Sequence, residues 1–189
     1  MANLLVECLK HPIRTSSIIP DSKALTRIML EMADLPHAEV VIELGPGSGG
    51  ATKQIMKELS LKAKYLAVEI NPKFVKHIRK KCPDATIYCD DALNLKTYLK
   101  KHDINDCQAI ISGLPLTVLK EGRLEKLLDL IMQSLSSGGR FVAYAYVHRV
   151  KSKGHQRLLD LLGKYFTKLE RTRVVWKNLP PAYVYCATK

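Results

Sequence analysis

The sequence predicts an α/β fold: a mostly parallel, seven-stranded sheet with helices on both faces and an antiparallel hairpin at its C-terminal end. Three observations carry this. Apolar runs of strand length alternate with segments of helical periodicity through the middle of the chain. The first apolar run ends in a glycine-rich turn, "ELGPGSGG". Two further runs flank Pro180-Pro181 after the last helical segment and read as a hairpin.

The elements follow in order. "PDSKALTRIMLEM" offers Asp21 or Ser22 as an N-cap, and Leu25, Ile28, Met29 and Met32 then recur at helical spacing. "AEVVIELG" is a continuous apolar run closed by glycine, as expected of a parallel strand buried on both faces. "GATKQIMKELS" is a helix, "KYLAVEI" a second strand, and "NPKFVKHIRKKC" a helix with Pro72 in its first turn. "ATIYCDDA" holds a third strand and "CQAIISGLP" a fourth. In "RLEKLLDLIMQSL", Leu124, Leu127, Leu128, Ile131 and Leu135 share one helical face. "GRFVAYAYV" is a fifth strand, and a short helix is expected near "HQRLLDLLGKYF". "LERTRVVWKNL" and "PAYVYCAT" form the hairpin.

Bulk properties narrow the class. The 189 residues suffice for one domain and are too few for two ordinary ones. No apolar run reaches the ~20 residues of a membrane span. "MANLLVECLKHP" has neither the basic start nor the long apolar middle of a secretory signal. Cys8, Cys82, Cys89, Cys107 and Cys186 form no Cys-x-x-Cys pair. Neither zinc nor a disulfide framework is expected, no metal is assigned, and a reducing cytosol fits. The net charge of +12, from 30 Lys+Arg against 18 Asp+Glu, favours an anionic partner, nucleic acid or acidic lipid. A Lys-rich solvated surface would give the same charge.

The glycine turn admits two ligands. Gly45, Gly47 and Gly50 make the Gly-x-Gly-x-x-Gly of a dinucleotide site. Glu43, Gly45, Gly47 and Gly49 make the Glu-x-Gly-x-Gly-x-Gly of an S-adenosylmethionine (SAM) methyltransferase. Glu43 favours the second, because a SAM site uses a carboxylate near the cofactor's ammonium. Glu69, ending the second strand, would accept both ribose hydroxyls in either cofactor. "YCDDAL" supplies an acid for the adenine amino group, Asp91 first and Asp90 second. "SGLPL" after the fourth strand matches the polar-x-Pro loop that many amino methyltransferases hold against the reactive methyl. The terminal hairpin also fits a SAM fold and not a dinucleotide fold. Structural readings stand beside these: Glu43 as a loop brace, Glu69 as a surface acid, and Asp90 or Asp91 as an N-cap.

On these motifs the chain resembles bacterial phospholipid N-methyltransferases, close in sequence to the ribosomal-RNA adenine dimethylases. "HPIRTSSIIPDSKALTRIM", "VIELGPGSG", "VEINPKF", "SGLPL" and "VVWKNLPPAYVY" carry the resemblance over nearly the whole length. It implies a Rossmann-like class I SAM-dependent methyltransferase fold over 1–189, with residues 1–35 a helical segment covering the cofactor and substrate site. It implies SAM as cofactor and S-adenosyl-L-homocysteine as product. It also implies methylation of phosphatidylethanolamine, up to three times, toward phosphatidylcholine. Carried over residue by residue, Glu43, Gly45, Gly47, Gly49, Glu69 and Asp91 fall on cofactor motifs, and the adjacent Ile70 and Ala92 join them. Ser112, Gly113, Leu114 and Pro115 fall on the active-site loop, with Ser112 also counted toward the cofactor. Ser48 stands where a Thr is common, and Cys89-Asp90-Asp91 departs from a Gly-Asp pair, which leaves the adenine ligand open by one residue.

Methyl transfer from a sulfonium is an in-line displacement, so alignment is the protein's main task. The amine must be neutral, and from a lysine-like pKa of ~10.4 this costs about 4.6 kcal/mol at pH 7. A dry pocket beside a cationic sulfonium lowers that cost. Tyr144 and Tyr146 share one face of strand five and could steer the amine, or could be core; His148 reads as a surface histidine. An adenine target would want an aromatic after Pro115, where Leu116 stands, and those dimethylases carry a helical C-terminal domain that is not expected after the hairpin. Nucleic acid is therefore disfavoured as partner. A small-molecule or protein N-methyltransferase is a further alternative, and a non-enzymatic binder of acidic surfaces would predict broken cofactor motifs. The expected location is cytoplasmic, peripherally associated with the anionic face of the cytoplasmic membrane. Leu4, Leu5, Cys8 and Leu9 offer a docking helix, and Arg149, Lys151, Lys153 and Arg157 a basic cluster.

Overall fold

A computed structural model describes residues 22–189. The predicted docking stretch at 2–10 and most of the predicted cover at 1–35 lie outside the described residues. Ser22 caps α1 (Lys23–Ala33), its hydroxyl accepting the Leu25 N–H at 3.1 Å. β1 (Val40–Leu44) leads through the glycine turn into α2 (Gly50–Glu58), β2 (Lys64–Glu69), α3 (Pro72–Lys81) and β3 (Thr86–Cys89). Then come α4 (Leu95–Lys101), β4 (Cys107–Ser112), α5 (Arg123–Ser134), β5 (Leu135–Tyr146), α6 (Lys153–Tyr165), β6 (Lys168–Arg171) and β7 (Ala182–Thr188).

All strands join one seven-stranded sheet in the order β3-β2-β1-β4-β5-β7-β6. The first five are parallel, and β7 runs antiparallel to both β5 and β6. Alternation along the strands sends Val41, Tyr65, Ile111 and Val142 into a core with α1, α2 and α3. Ile42, Leu66, Ile110 and Phe141 face α4, α5 and α6. β1 is apolar except for the buried Glu43 because both its faces are covered. The described part of the predicted cover, α1, packs Leu25, Met29, Leu30 and Ala33 into the first of these cores.

Three elements differ from expectation. β6 stops at Arg171, leaving Thr172 to Pro181 as a loop with one bridge, Val175 to Ala182; Pro180 and Pro181 have no N–H to extend a ladder. α6 is a full 13 residues, opened by Ser152, whose hydroxyl accepts the His155 N–H. β5 begins directly after α5 and absorbs a register shift between Cys107 and Ala109, where Gly138 takes φ 74°.

Candidate active site

Strand order reverses between β1 and β4: the chain leaves β1 toward β2 and leaves β4 toward β5. The loops after these strands diverge and leave a crevice at their C-terminal ends, the usual ligand position in such sheets. Here the loops are tied backbone to backbone. The Gly45 N–H donates to the Val68 carbonyl and the Gly113 N–H to the Leu44 carbonyl, both at 2.9 Å. Gly45 has φ 68°, and a Cβ there would sit 2.6 Å from Leu114 Cδ2. A Cβ on Gly113 would sit 2.5 Å from the Gly45 carbonyl oxygen. Only glycine permits this approach. Gly47, by contrast, faces open space, as a backbone that receives a ligand should.

The acids divide into two kinds. Glu69, 6% exposed, accepts the Gly47 N–H at 2.9 Å and the Asn71 N–H at 2.8 Å, so it holds the glycine turn against the start of α3. Each of its oxygens keeps a lone pair for a ligand. Asp91 accepts the Leu93 N–H and, at 2.6 Å, an N–H of Arg123. Burial raises its pKa, but the Arg123 and Leu93 hydrogen bonds outweigh that and leave it lowered. Glu43 is a brace. It is 2% exposed and accepts the hydroxyls of Thr52, at 2.7 Å, and Tyr65. Burial and then the Glu43 charge push the Tyr65 phenol well up. Asp90 is likewise turned to its own chain, accepting from Tyr98, Asn94 and the Asp91 N–H. The Asp90 bond pushes Tyr98 up to about 12.

A cavity of about 60 Å³ opens beside Asp90 and Asp91, which both line it, walled by Val68, Ile70, Leu93 and Leu114 and closed by Arg123; Ala92 also lines it. An apolar slot with a carboxylate at its rim suits a flat heterocycle carrying an amino group. Arg123 escaped the sequence reading. It lies on α5, far along the chain from Asp91, and no spacing rule joins them. The partners that brace Glu43, Thr52 on α2 and Tyr65 on β2, are likewise joined by no spacing rule.

On the acceptor side, Ser112 is fully buried, its hydroxyl accepting the Leu114 N–H at 3.3 Å. Leu116, after Pro115, is 1% exposed and sits in the core. The next turn, Leu116–Val118, abuts α6 so closely that a Cβ on Gly154 would lie 1.9 Å from the Thr117 carbonyl oxygen. Tyr144 and Tyr146 come to the same sheet edge, since Ser112 pairs with Ala143. Their ring centroids are 5.4 Å apart, and Tyr146 stacks on His148 at 5.6 Å. Burial, helped by Arg149, lowers the His148 pKa. The structure thus brings Ser112, Gly113, Leu114, Pro115, Tyr144 and Tyr146 to the C-terminal ends of β4 and β5, with both tyrosines packed in part against the core beneath α1, and Gly45, Gly47, Glu69, Ile70, Asp91 and Ala92 to the ends of β1, β2 and β3. Gly49 caps α2, and Glu43 lies behind the loop against α2.

These residues fit a nucleoside cofactor: an apolar slot with Asp91, a buried Glu69 hydrogen-bonded to the glycine turn, and an open backbone at Gly47. The O-methyltransferase TomG from Streptomyces achromogenes, solved with SAM, superposes with TM-score 0.72 at 12% identity, covering 100% of this chain and 89% of that one. The O-methyltransferase from Bacillus cereus, solved with SAH, gives 0.71 at 12% identity over 99% and 91%. In sequence, an ornithine lipid N-methyltransferase from Singulisphaera acidiphila is 25% identical over 179 residues, 93% of this chain and 89% of its own length. Residues 10–144 match the ribosomal RNA adenine dimethylase family, so the chain belongs to that family of methyltransferases, with S-adenosyl-L-methionine as cofactor.

Proposed function

We propose that the chain N-methylates the amine head group of a membrane lipid, phosphatidylethanolamine first and an ornithine lipid second. The observation that carries this reading is Leu116. A base-modifying enzyme stacks its extruded base on an aromatic beside the proline loop; here that position holds an aliphatic side chain locked in the core. The similarity to an ornithine lipid N-methyltransferase supports a lipid amine as acceptor. Location at the cytoplasmic face of a membrane belongs to the same proposal. Among the described residues no helix is long and apolar enough to cross a membrane, so the enzyme would dock on its substrate's surface.

Bound SAM supplies an electrophilic methyl group. The protein's residues do the rest. Glu69 and Asp91 hold the nucleoside, and the Gly45–Gly113 contact sets the distance between cofactor loop and acceptor loop. Ser112 to Pro115 line the path of the amine. Tyr144 and Tyr146 present ring faces and hydroxyls to it, which favours a cation on approach and accepts its proton's hydrogen bond. The apolar surroundings of Leu114 and Leu116 exclude water and lower the amine's pKa toward neutrality.

The deciding experiment offers labelled SAM with vesicles of phosphatidylethanolamine, vesicles containing ornithine lipid, and structured RNA. Label in lipid is expected; label in RNA alone would overturn the proposal. Tyr144→Phe and Tyr146→Phe should each lower turnover with SAM affinity intact. Unchanged rates in both would return the tyrosines to a packing role.

A further inference from the structure

The loop from Thr172 to Pro181 stands at the acceptor edge. β7 begins opposite Tyr146, the last residue of β5, and the Val147 N–H donates to the Pro181 carbonyl at 2.9 Å. Inside this loop, burial runs against chemistry. Asn178 is 2% exposed, whereas Trp176 is 74% and Leu179 62% exposed. The Asn178 amide accepts the Ser22 N–H and donates to the Pro180 carbonyl, each at 2.8 Å. The Val175 N–H donates to the Ala182 carbonyl at 2.8 Å, and its side chain is buried. Two inward anchors therefore pin the backbone and hold an indole and an isobutyl group out in water, where neither gains.

Within this loop and the segment that follows β5, every charged side chain is basic. Arg173 and Lys177 are exposed within the loop, and Lys151, in the turn that Val147 begins, and Lys153, at the start of α6, are exposed too. No Asp or Glu occurs from Val147 to Arg157 or from Thr172 to Ala182. Exposed apolar side chains interleaved with bases along the loop complement an anionic bilayer, whose head groups meet the bases while the indole settles at the interface.

We propose that Trp176 and Leu179 form an interfacial anchor that inserts into an anionic bilayer and turns the acceptor edge toward the lipid substrate. This rests on the lipid reading above. Trp176 is the only tryptophan in the chain, so fluorescence of the full protein excited at the red edge, where tyrosine does not absorb, reports on it alone. With vesicles of phosphatidylethanolamine and phosphatidylglycerol, emission should shift to the blue and be quenched by brominated acyl chains. The double variant W176A/L179A should keep its melting temperature and bind vesicles about tenfold more weakly or worse. Its KM for vesicle lipid should rise in step, while methyl transfer to a short-chain, monomeric phosphatidylethanolamine stays at the parent rate. Co-sedimentation without quenching, or an unchanged vesicle KM in the double variant, would overturn the anchor. Failure of the parent protein to methylate both phosphatidylethanolamine and ornithine lipid, monomeric or in vesicles, would overturn the lipid reading itself, and the anchor with it.

Discussion

Replacing Glu69 by Gln changes one atom and removes one charge. In the folded protein Oε2 accepts from Gly47 and Oε1 from Asn71. An amide satisfies one of these and sets an N–H against the other. If the same carboxylate also accepts the two ribose hydroxyls, the variant loses at least one charge-assisted hydrogen bond to the cofactor, about 1.5–3 kcal/mol. At about 1.4 kcal/mol per decade, SAM affinity should fall about 10- to 150-fold. Glu69→Ala should lose more, because both hydroxyls and both backbone donors go unmatched. Asp90→Ala is the control. Its acceptor contacts go to Tyr98, Asn94 and Asp91 of its own chain, so it should cost stability and leave affinity within about threefold, below the tenfold step of one charged hydrogen bond. Isothermal titration of SAM into the three variants, with melting temperatures alongside, tests this. The reasoning fails if Glu69→Gln binds within twofold of the parent, or if Asp90→Ala binds more weakly than Glu69→Ala.

Other perturbations follow the same geometry. Gly154→Ala would put a methyl 1.9 Å from the Thr117 oxygen, so α6 must back away from the turn after the acceptor loop; a loss of about 1–3 kcal/mol in urea unfolding, with lower turnover, is expected. Tyr65→Phe leaves the buried Glu43 one donor short and should cost about 1–3 kcal/mol, read in the same unfolding measurement, with SAM affinity little changed if Glu43 acts as a brace. Asp91 has its pKa held below the ordinary 3.8, opposed by burial and favoured by Arg123 and the Leu93 N–H. A lowered pKa means the stabilisation is full above the unfolded value and is lost as pH falls through the folded one. Because Arg123 is 43% exposed, Arg123→Gln should cost no more than about 1 kcal/mol at neutral pH. Parent and variant unfolding curves should converge as pH falls through the lowered folded-state pKa of Asp91, and curves still separated once it is protonated would contradict the ion pair as the cause.

The sequence by itself determined the strand–helix alternation, the turn at Gly45 to Gly49 and the switch-point position of the crevice. These are local or periodic properties: an apolar run buried on both faces, a helix stripe, and a glycine where φ is positive. It also marked which acids end strands β2 and β3. Tertiary structure alone decided what those acids do. Glu43 and Glu69 both look like ligand carboxylates in one dimension, yet Tyr65 and Thr52 claim Glu43 from a neighbouring strand and helix, while Glu69 keeps lone pairs facing the turn. Asp90 and Asp91 both line the cavity, and Tyr98 on α4 binds the first while Arg123 on α5 binds the second. Likewise the outward Trp176 beside the buried Asn178 inverts what hydropathy predicts, because Asn178 meets the N–H of Ser22, far away in sequence. Hydrogen-bond partners and close approaches couple residues through space, and no periodicity along the chain encodes them.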